Sequence, residues 1–355
     1  MANEVKKVNT IAIADIKNIN SQTDDHIKEL NAQEFTGFVY SFSGPAWQGT
    51  RGVIMGGGQY TAGATSDMIQ YNTIPSAANA SDFGNMTGAI RDTGASSSGT
   101  GGRAVSMAGA DNSGNRYITM DYITTASTGD ASDFGDVNLA RDGSTQSSDG
   151  TRTCLWGGAT GNASTGNDIN YVTIASTADS AVWGDALNWV YQGGSVSHSY
   201  RAFGWNLSGG DGTRVNIIQS INIAGSLGDA SDWGDSTTAS MRAGQGLEDA
   251  SRGVLAIGDD GSTYFNSRAM DYINTGNSSG SGADFGDLVQ AQVLGMGISD
   301  GTNGEFWGGY TKDSGGFSDL DMIQKITIGS TGDAADTGDN LVQVADRVGG
   351  CSGSQ

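Results

Sequence analysis

Asp133-Phe134-Gly135-Asp136 decides the fold of this chain, because variants of this acid-aromatic-glycine-acid stretch return at an almost constant interval. The central aromatic positions of successive copies are 49 to 52 residues apart. A period in this range is typical of propellers, solenoids and other repeat arrays. The other five copies are Asp82-Phe83-Gly84-Asn85, Val182-Trp183-Gly184-Asp185, Asp232-Trp233-Gly234-Asp235, Asp284-Phe285-Gly286-Asp287 and the degenerate Asp336-Thr337-Gly338-Asp339.

Each repeat unit reads as four short strands separated by glycine-rich turns. A first strand, such as 37–43 or 139–147, precedes an arginine, an apolar run and a glycine pair. A third strand follows, in which an apolar residue and a tyrosine two positions later lie on one face, and the aromatic motif forms the fourth strand. This pattern predicts an all-β, six-bladed β-propeller. The arginines are Arg51, Arg103, Arg152, Arg201 and Arg252, and the tyrosines are Tyr71, Tyr122, Tyr171 and Tyr272.

The order of these features resembles kelch-type blades. In kelch-type blades a glycine pair follows an apolar strand, and then come a tyrosine strand, an aromatic residue and a downstream arginine. In this chain the downstream arginine position is occupied by Arg91, Arg141 and Arg242. The amino-acid sequence of residues 133–141 is similar to kelch-like repeats in virion proteins of marine and cyanobacterial phages. The resemblance covers residues 37–340, with departures at Val182 and Thr337. It implies a kelch-like propeller that belongs to a bacteriophage particle.

The two ends lie outside the six units. Residues 1–36 contain two similar pieces, 16–20 and 27–31, and such Ile-Lys-x-Ile-Asn pieces resemble the front of phage tail and particle proteins. We expect either a virion attachment segment or a cap on the propeller, since so short a piece cannot bury its apolar residues alone. Residues 341–355 resemble the start of a seventh unit and are expected to be a latch or tail. The attachment residues would be Ile11, Ile13, Ile16, Ile19, Ile27 and Leu30.

Composition limits the classes of partner. The formal net charge of −21 argues against nucleic acid and anionic membranes, because phosphate contacts need clustered lysine and arginine. Two cysteines, Cys154 and Cys351, offer neither a disulfide framework nor zinc spacing. The sequence shows no apolar signal segment and no run long enough for a membrane helix. We therefore expect synthesis in a cytosol and localisation to the virion, in a multi-copy assembly.

Acidic residues form the only recurring polar pattern. Oxygen-rich loops can hold calcium, but a feature present in every unit is better explained by turns, in which short carboxylates accept backbone N–H bonds. His26 and His198 have neither metal-ligand spacing nor a nearby nucleophile signature. We predict no catalytic residue, cofactor or metal. The acidic triplets are Asp130, Asp133 and Asp136, then Asp229, Asp232 and Asp235, and finally Asp333, Asp336 and Asp339.

Three aromatic residues fall outside the periodic positions: Trp47, Trp189 and Tyr191. They are candidates for ligand contact, by stacking on a sugar or anchoring a protein, although packing between blades would also explain them. The sequence thus favours a non-enzymatic phage virion protein, tail-associated (fibre, baseplate or adhesin) or head-displayed. It would be anchored by residues 1–36 to other virion proteins, and its loops would contact a neighbouring protein or a host surface glycan. The alternatives are a carbohydrate-active enzyme with its site at the propeller mouth and a cytosolic interaction hub.

Overall fold

The computed structural model describes residues 49–353, apart from 77, 98–101, 161–163, 189, 206–212, 241–245, 250 and 262–266, and six two-residue strands before residue 49. The chain divides into two compact units, Met1–Gly44 and Pro45–Gln355. None of the described residues forms a helix with the length and apolarity that a membrane crossing requires.

Six four-stranded antiparallel sheets form the blades of a β-propeller, as predicted. Their innermost strands contact one another in cyclic order. From the innermost to the outermost strand, the blades are Gly349–Gly353, Arg51–Gln59, Ala64–Thr73 and Ser81–Asn85 (blade 1); Gly94–Ser97, Arg103–Ala110, Arg116–Thr124 and Ser132–Arg141 (blade 2); Thr145–Ser148, Arg152–Thr160, Ser164–Thr173 and Ala181–Asp185 (blade 3); Gly194–Ser197, Ala202–Trp205, Val215–Ile221 and Ser231–Ser240 (blade 4); Leu247–Glu248, Arg252–Ala256, Ala269–Asn274 and Ala283–Asp287 (blade 5); and Met296–Ser299, Asn303–Trp307, Met322–Thr327 and Ala335–Asn340 (blade 6).

The innermost strand of blade 1 comes from the other end of the chain. Gly349–Gly353 pairs antiparallel with the second strand, from Gly349 opposite Met55 to Gly353 opposite Arg51. The sequence predicted a first strand at 37–43, which lies outside the described residues, and the place beside Arg51–Gln59 is taken by Gly349–Gly353. The predicted strand at 139–147 was wrong, because a bend at 142–144 divides it between two blades.

The hydrophobic core of the described residues consists of separate clusters, six of which lie between two adjacent blades, while the seventh lies within blade 6. Phe134 of blade 2, for example, is buried together with Val172 and Ile174 of blade 3. The prediction that the periodic aromatic residues pack between adjacent blades is therefore confirmed. The same arrangement holds for Phe83, Trp183, Trp233 and Phe285.

Two further sets of strands lie outside the blades. In blade 6 the connection between the second and third strands contains an additional hairpin, Tyr310–Asp313 paired with Gly316–Asp319. In the Met1–Gly44 unit, three short hairpins follow one another at a constant step of eleven residues, so the sequence contains a third copy, 5–15, that the sequence analysis missed. These hairpins are Lys7–Val8 with Ile11–Ala12, Asn18–Ile19 with Gln22–Thr23, and Glu29–Leu30 with Gln33–Glu34.

Candidate functional site

The recurring acidic motif holds adjacent blades together. A Cβ atom at Gly135, whose φ is 140°, would lie 2.6 Å from the carbonyl oxygen of Ala178 in blade 3, so only glycine allows this approach. The next backbone N–H, that of Asp136, donates to Asp179 Oδ1 at 3.0 Å. Equivalent bonds of 2.9–3.0 Å run from Asn85 to Asp130, from Asp185 to Asp229 and from Asp287 to Asp333. Within the motif, the Gly135 N–H donates to Asp133 Oδ1 at 3.1 Å, which agrees with the turn interpretation. Within the described parts of the chain, no group of three or more His, Cys, Asp or Glu side chains is placed to hold a metal ion.

The recurring arginines also connect neighbouring blades. The Arg51 guanidinium lies over the Tyr71 ring, 4.8 Å from its centroid, and donates to the carbonyl oxygen of Thr125 in blade 2 at 2.7 Å. Blade 6 has lost the arginine, and there Lys325 Nζ donates to the Ile74 carbonyl of blade 1 at 2.6 Å. A positively charged side chain thus makes the same hydrogen bond to the next blade, but from a different strand. The other arginines donate to the carbonyls of Ala175, Ile223, Asn277 and Ile328.

The interface that closes the ring contains a buried polar network beside its apolar cluster. Glu305 of blade 6 is 1% exposed and accepts hydrogen bonds from Asn72 Nδ2 and Trp307 Nε1, both at 2.9 Å. Lys325 Nζ lies 4.0 Å from Glu305 Oε1. Burial raises the pKa of Glu305, while its hydrogen bonds and Lys325 oppose that rise. We name Asn72, Glu305, Trp307 and Lys325 the closure network.

A ring of backbone hydrogen bonds surrounds one end of the propeller axis, which we call the channel mouth. In five of the six blades, the residue two positions before the innermost strand has a left-handed φ, which lies between 53° and 69°. Its N–H donates to the carbonyl of the equivalent residue in the preceding blade, as from Asp92 to Arg347 at 2.7 Å. These bonds stabilise a conformation that costs non-glycine residues free energy. The residues are Asp92, Gly143, Gln192, Leu294 and Arg347, and the blade 5 counterpart lies among 241–245, outside the described residues.

Paired charges lie at the channel mouth, on the blade 1, 2 and 3 side. Asp92 pairs with Arg91, Arg347 Nε donates to Asp346 Oδ1 at 2.9 Å, and Arg347 Nη1 lies 4.0 Å from Asp92 Oδ2. Burial raises the pKa of Asp346 to about 6, against the opposing effect of Arg347. Since the other blades carry Gln192 and Leu294 at the equivalent positions, this mouth cluster (Arg91, Asp92, Arg116, Asp142, Asp346 and Arg347) is specific to certain units. Its remaining pair is Arg116 Nε with Asp142 Oδ1 at 2.6 Å.

An aromatic cluster lies beside the channel mouth and is built from blades 1 and 6. Tyr60 stacks on Tyr310 with ring centroids 4.6 Å apart and lies 4.6 Å from Phe317. Asp319 holds the turn of Tyr60 by accepting its backbone N–H at 3.0 Å. The Arg347 guanidinium is 5.7 Å from the Tyr60 centroid, so Arg347 belongs to both clusters. We name Tyr60, Tyr310 and Phe317 the aromatic cluster.

Of the three residues predicted to contact a ligand, the structure describes one. Tyr191 is half-buried, and a Cβ atom at Gly143 would lie 2.5 Å from its ring, so it packs at the channel mouth. Burial, followed by Asp92 and Asp142, raises the pKa of Tyr191 to about 12. Trp47 and Trp189 lie outside the described residues.

The predicted attachment residues are described only in part. Ile11, Ile19 and Leu30 lie in the two-residue strands, where the backbone alone is described. The other three, Ile13, Ile16 and Ile27, lie outside the described residues, as does His26. His198 packs edge-on against Tyr200, with centroids 4.6 Å apart, and Cys154 is buried in an interface between blades.

The sequence analysis missed the aromatic cluster. Its signal was present, because Tyr60, Tyr310 and Phe317 lie outside the periodic aromatic positions, the same criterion that selected Trp47 and Trp189. The units differ at the channel mouth and at this cluster, and a ligand site is normally asymmetric within a repeated scaffold. No protein-family model matches this chain, and no curated protein is similar to it.

Proposed function

We propose that this chain is a non-enzymatic structural protein of a bacteriophage particle, tail-associated or head-displayed, which presents a rigid propeller for contact with a neighbouring virion protein or a host glycan. One observation carries the proposal. The polar side chains that recur from unit to unit are used between blades, whereas the unit-specific residues, apart from the closure network, gather at the channel mouth and in the aromatic cluster. A rigid ring with one specialised face suits display and binding, although a propeller fold by itself decides no function.

The N-terminal unit supports an anchoring role. Met1–Gly44 is a compact unit of its own, and its three hairpins repeat every eleven residues. A two-stranded hairpin is marginally stable alone in water, so a row of them is expected to need covering by another chain. In the proposed particle, residues 1–36 attach to other virion proteins, in many copies.

Truncation and grafting test the anchor. A chain that starts at Pro45 should unfold at nearly the temperature of the full chain, yet be absent from particles purified after infection with the source phage. Residues 1–44 fused to an unrelated soluble domain should bring that domain into the particles, and the domain alone is the control. If the truncated chain is incorporated as well as the full chain, the anchor lies on the blades and this part of the proposal fails.

The mouth cluster supports a second candidate function, a carbohydrate-active enzyme. Glycoside cleavage uses two carboxyl groups, one with a raised pKa, and the pKa of Asp346 is raised to about 6 beside Asp92. Release of reducing ends from host polysaccharide by the full chain, abolished in Asp346→Asn and Asp92→Asn, would favour the enzyme. Turnover that persists in both variants would remove the mouth cluster from consideration.

A further inference from the structure

We infer that the aromatic cluster and Arg347 form a binding site for a neutral hexopyranose unit of an oligosaccharide, with the Tyr60 ring as the stacking surface. This inference deepens the proposed display role and rests on it, since it names the ligand class of the displayed face.

Part of the Tyr60 side chain is open to solvent. Its centroid lies 4.6 Å from both Tyr310 and Phe317, and those two centroids are only 5.8 Å from each other. Partners so close together cannot lie on opposite faces of Tyr60, because that arrangement would place them roughly 9 Å apart. Tyr60 is 39% exposed, whereas Tyr310 beneath it is 2% exposed. The cluster is thus a supported ring that presents apolar surface to solvent.

The surface is held in place before any ligand arrives. The carboxylate of Asp319 accepts the backbone N–H groups of Tyr60 and Thr61 at 3.0 and 3.1 Å, which joins the blade 1 turn to the blade 6 hairpin. A stacking side chain on a fixed backbone loses little conformational entropy on binding. A tyrosine in an ordinary exposed turn would have no such support.

The polar groups beside the ring favour a hydroxylated ligand over a purely apolar one. Arg347 contacts Tyr60 on one side and reaches Asp346 and Asp92 on the other. A sugar placed on Tyr60 would present its C–H face to the ring and its hydroxyl edge to the Arg347 guanidinium and the Asp319 carboxylate, since the side chains of Asp346 and Asp92 are buried. One exposed tyrosine offers too little apolar area for a stable protein interface.

Charge balance points to a neutral sugar. The carboxylates of the mouth cluster are matched by its guanidinium groups, so the cluster provides no excess of positive charge. The chain as a whole carries a net charge of −21, which repels polyanions. An acidic polysaccharide would therefore be disfavoured at this site.

Calorimetry on the purified full chain tests the inference. The probes are maltohexaose, cellohexaose, mannohexaose and chitohexaose, with polygalacturonate as the anionic comparison. At least one neutral hexasaccharide should bind. Tyr60→Ala should weaken that binding by about tenfold or more, and Tyr60→Phe, which keeps the ring, should retain it within about threefold. Tyr117→Ala is the matched control, since Tyr117 is 38% exposed and lies in blade 2.

Three results would overturn the inference: no neutral hexasaccharide binds at millimolar concentration, only polygalacturonate binds, or folded Tyr60→Ala binds as tightly as the unmodified chain. Thermal unfolding of each variant shows whether it is folded, and if Tyr60→Ala is not, Tyr60→Leu, which keeps apolar volume but removes the ring, takes its place with the same expected loss. The particle experiment is independent. A chain that enters particles without binding sugar refutes only this site, whereas a chain that binds sugar but never enters particles refutes the display role.

Discussion

Replacing the polar pair of the closure network with the apolar pair of the other interfaces tests how the ring is closed. Glu305 and Asn72 face each other between blades 6 and 1, where the other five interfaces place apolar residues in one cluster. Those apolar combinations are Val53 with Ile123, Val105 with Val172, Cys154 with Ile221, Phe203 with Ile273, and Val254 with Ile326. The variants are Glu305→Val, Asn72→Ile and the double replacement.

The structure gives the magnitude for each single variant. Glu305→Val removes the acceptor of Asn72 Nδ2 and Trp307 Nε1 and the counter-charge of Lys325. An orphaned buried donor costs about 1–3 kcal/mol, so we expect a loss of about 2–5 kcal/mol in the free energy of unfolding. Asn72→Ile takes one donor from a buried carboxylate and should cost about 1–3 kcal/mol.

The double variant should be less destabilised than the sum of the single ones. It removes both partners of one hydrogen bond, and it also removes Asn72 Oδ1, a buried atom with no hydrogen-bond partner among the described residues. We expect a coupling free energy of about 1–3 kcal/mol between the two positions. Reversible urea unfolding, followed by fluorescence and circular dichroism with matching slopes, measures all four proteins. Additivity within about 0.5 kcal/mol would refute the reasoning, because distant independent sites behave in that way.

Three further changes test other parts of the structure. Phe134→Ala should lower the free energy of unfolding by about 3–5 kcal/mol in urea melts, and a loss under about 1 kcal/mol would contradict its burial between blades 2 and 3. Gly135→Ala should cost about 2 kcal/mol or more, because its φ is 140° and its Cβ would meet a carbonyl, whereas Gly88→Ala, with no atom near the new Cβ, should change stability by less than about 0.5 kcal/mol. The pKa of Asp346 is raised to about 6 from 3.8, so the folded state binds this proton more tightly and loses stability as the pH rises through 6. Asp346→Asn should gain up to about 3 kcal/mol relative to the unmodified chain between pH 4 and pH 7 in paired melts, and a constant difference would contradict the raised pKa.

The repeated contacts were predictable from the sequence because every unit packs against its neighbouring blades through the same positions. Phe134 fills the core between two blades. Gly135 leaves room for a carbonyl oxygen of the next blade, and the Asp136 N–H donates to a carboxylate of that blade. Any unit that lost one of these residues would weaken the ring, so the motif recurs at the blade period. That recurrence predicted the six blades and the burial of the aromatic residues.

The candidate site was not predictable in the same way, because its residues come from distant parts of the chain. Tyr60 and Asp319 are separated by 259 residues and meet only because blade 6 is followed in space by blade 1. The Glu305 and Asn72 pair has the same origin, with a separation of 233 residues. The closing strand was expected only as part of a latch or tail over 341–355, because Gly349–Gly353 is mostly glycine and its partner strand is nearly three hundred residues away in the sequence.

Closure of blade 1 by Gly349–Gly353 has a consequence for biosynthesis. The strand Arg51–Gln59 is buried almost throughout in the finished ring, yet its partner leaves the ribosome nearly three hundred residues later. Until then the nascent chain carries an unpaired apolar strand edge, which is a template for aggregation. Blades 2 to 6 can form from local contacts during translation, but the last step is a slow, long-range pairing. A circular permutant that begins at the bend before blade 2, with the original ends joined, would make every sheet from consecutive segments and should refold faster.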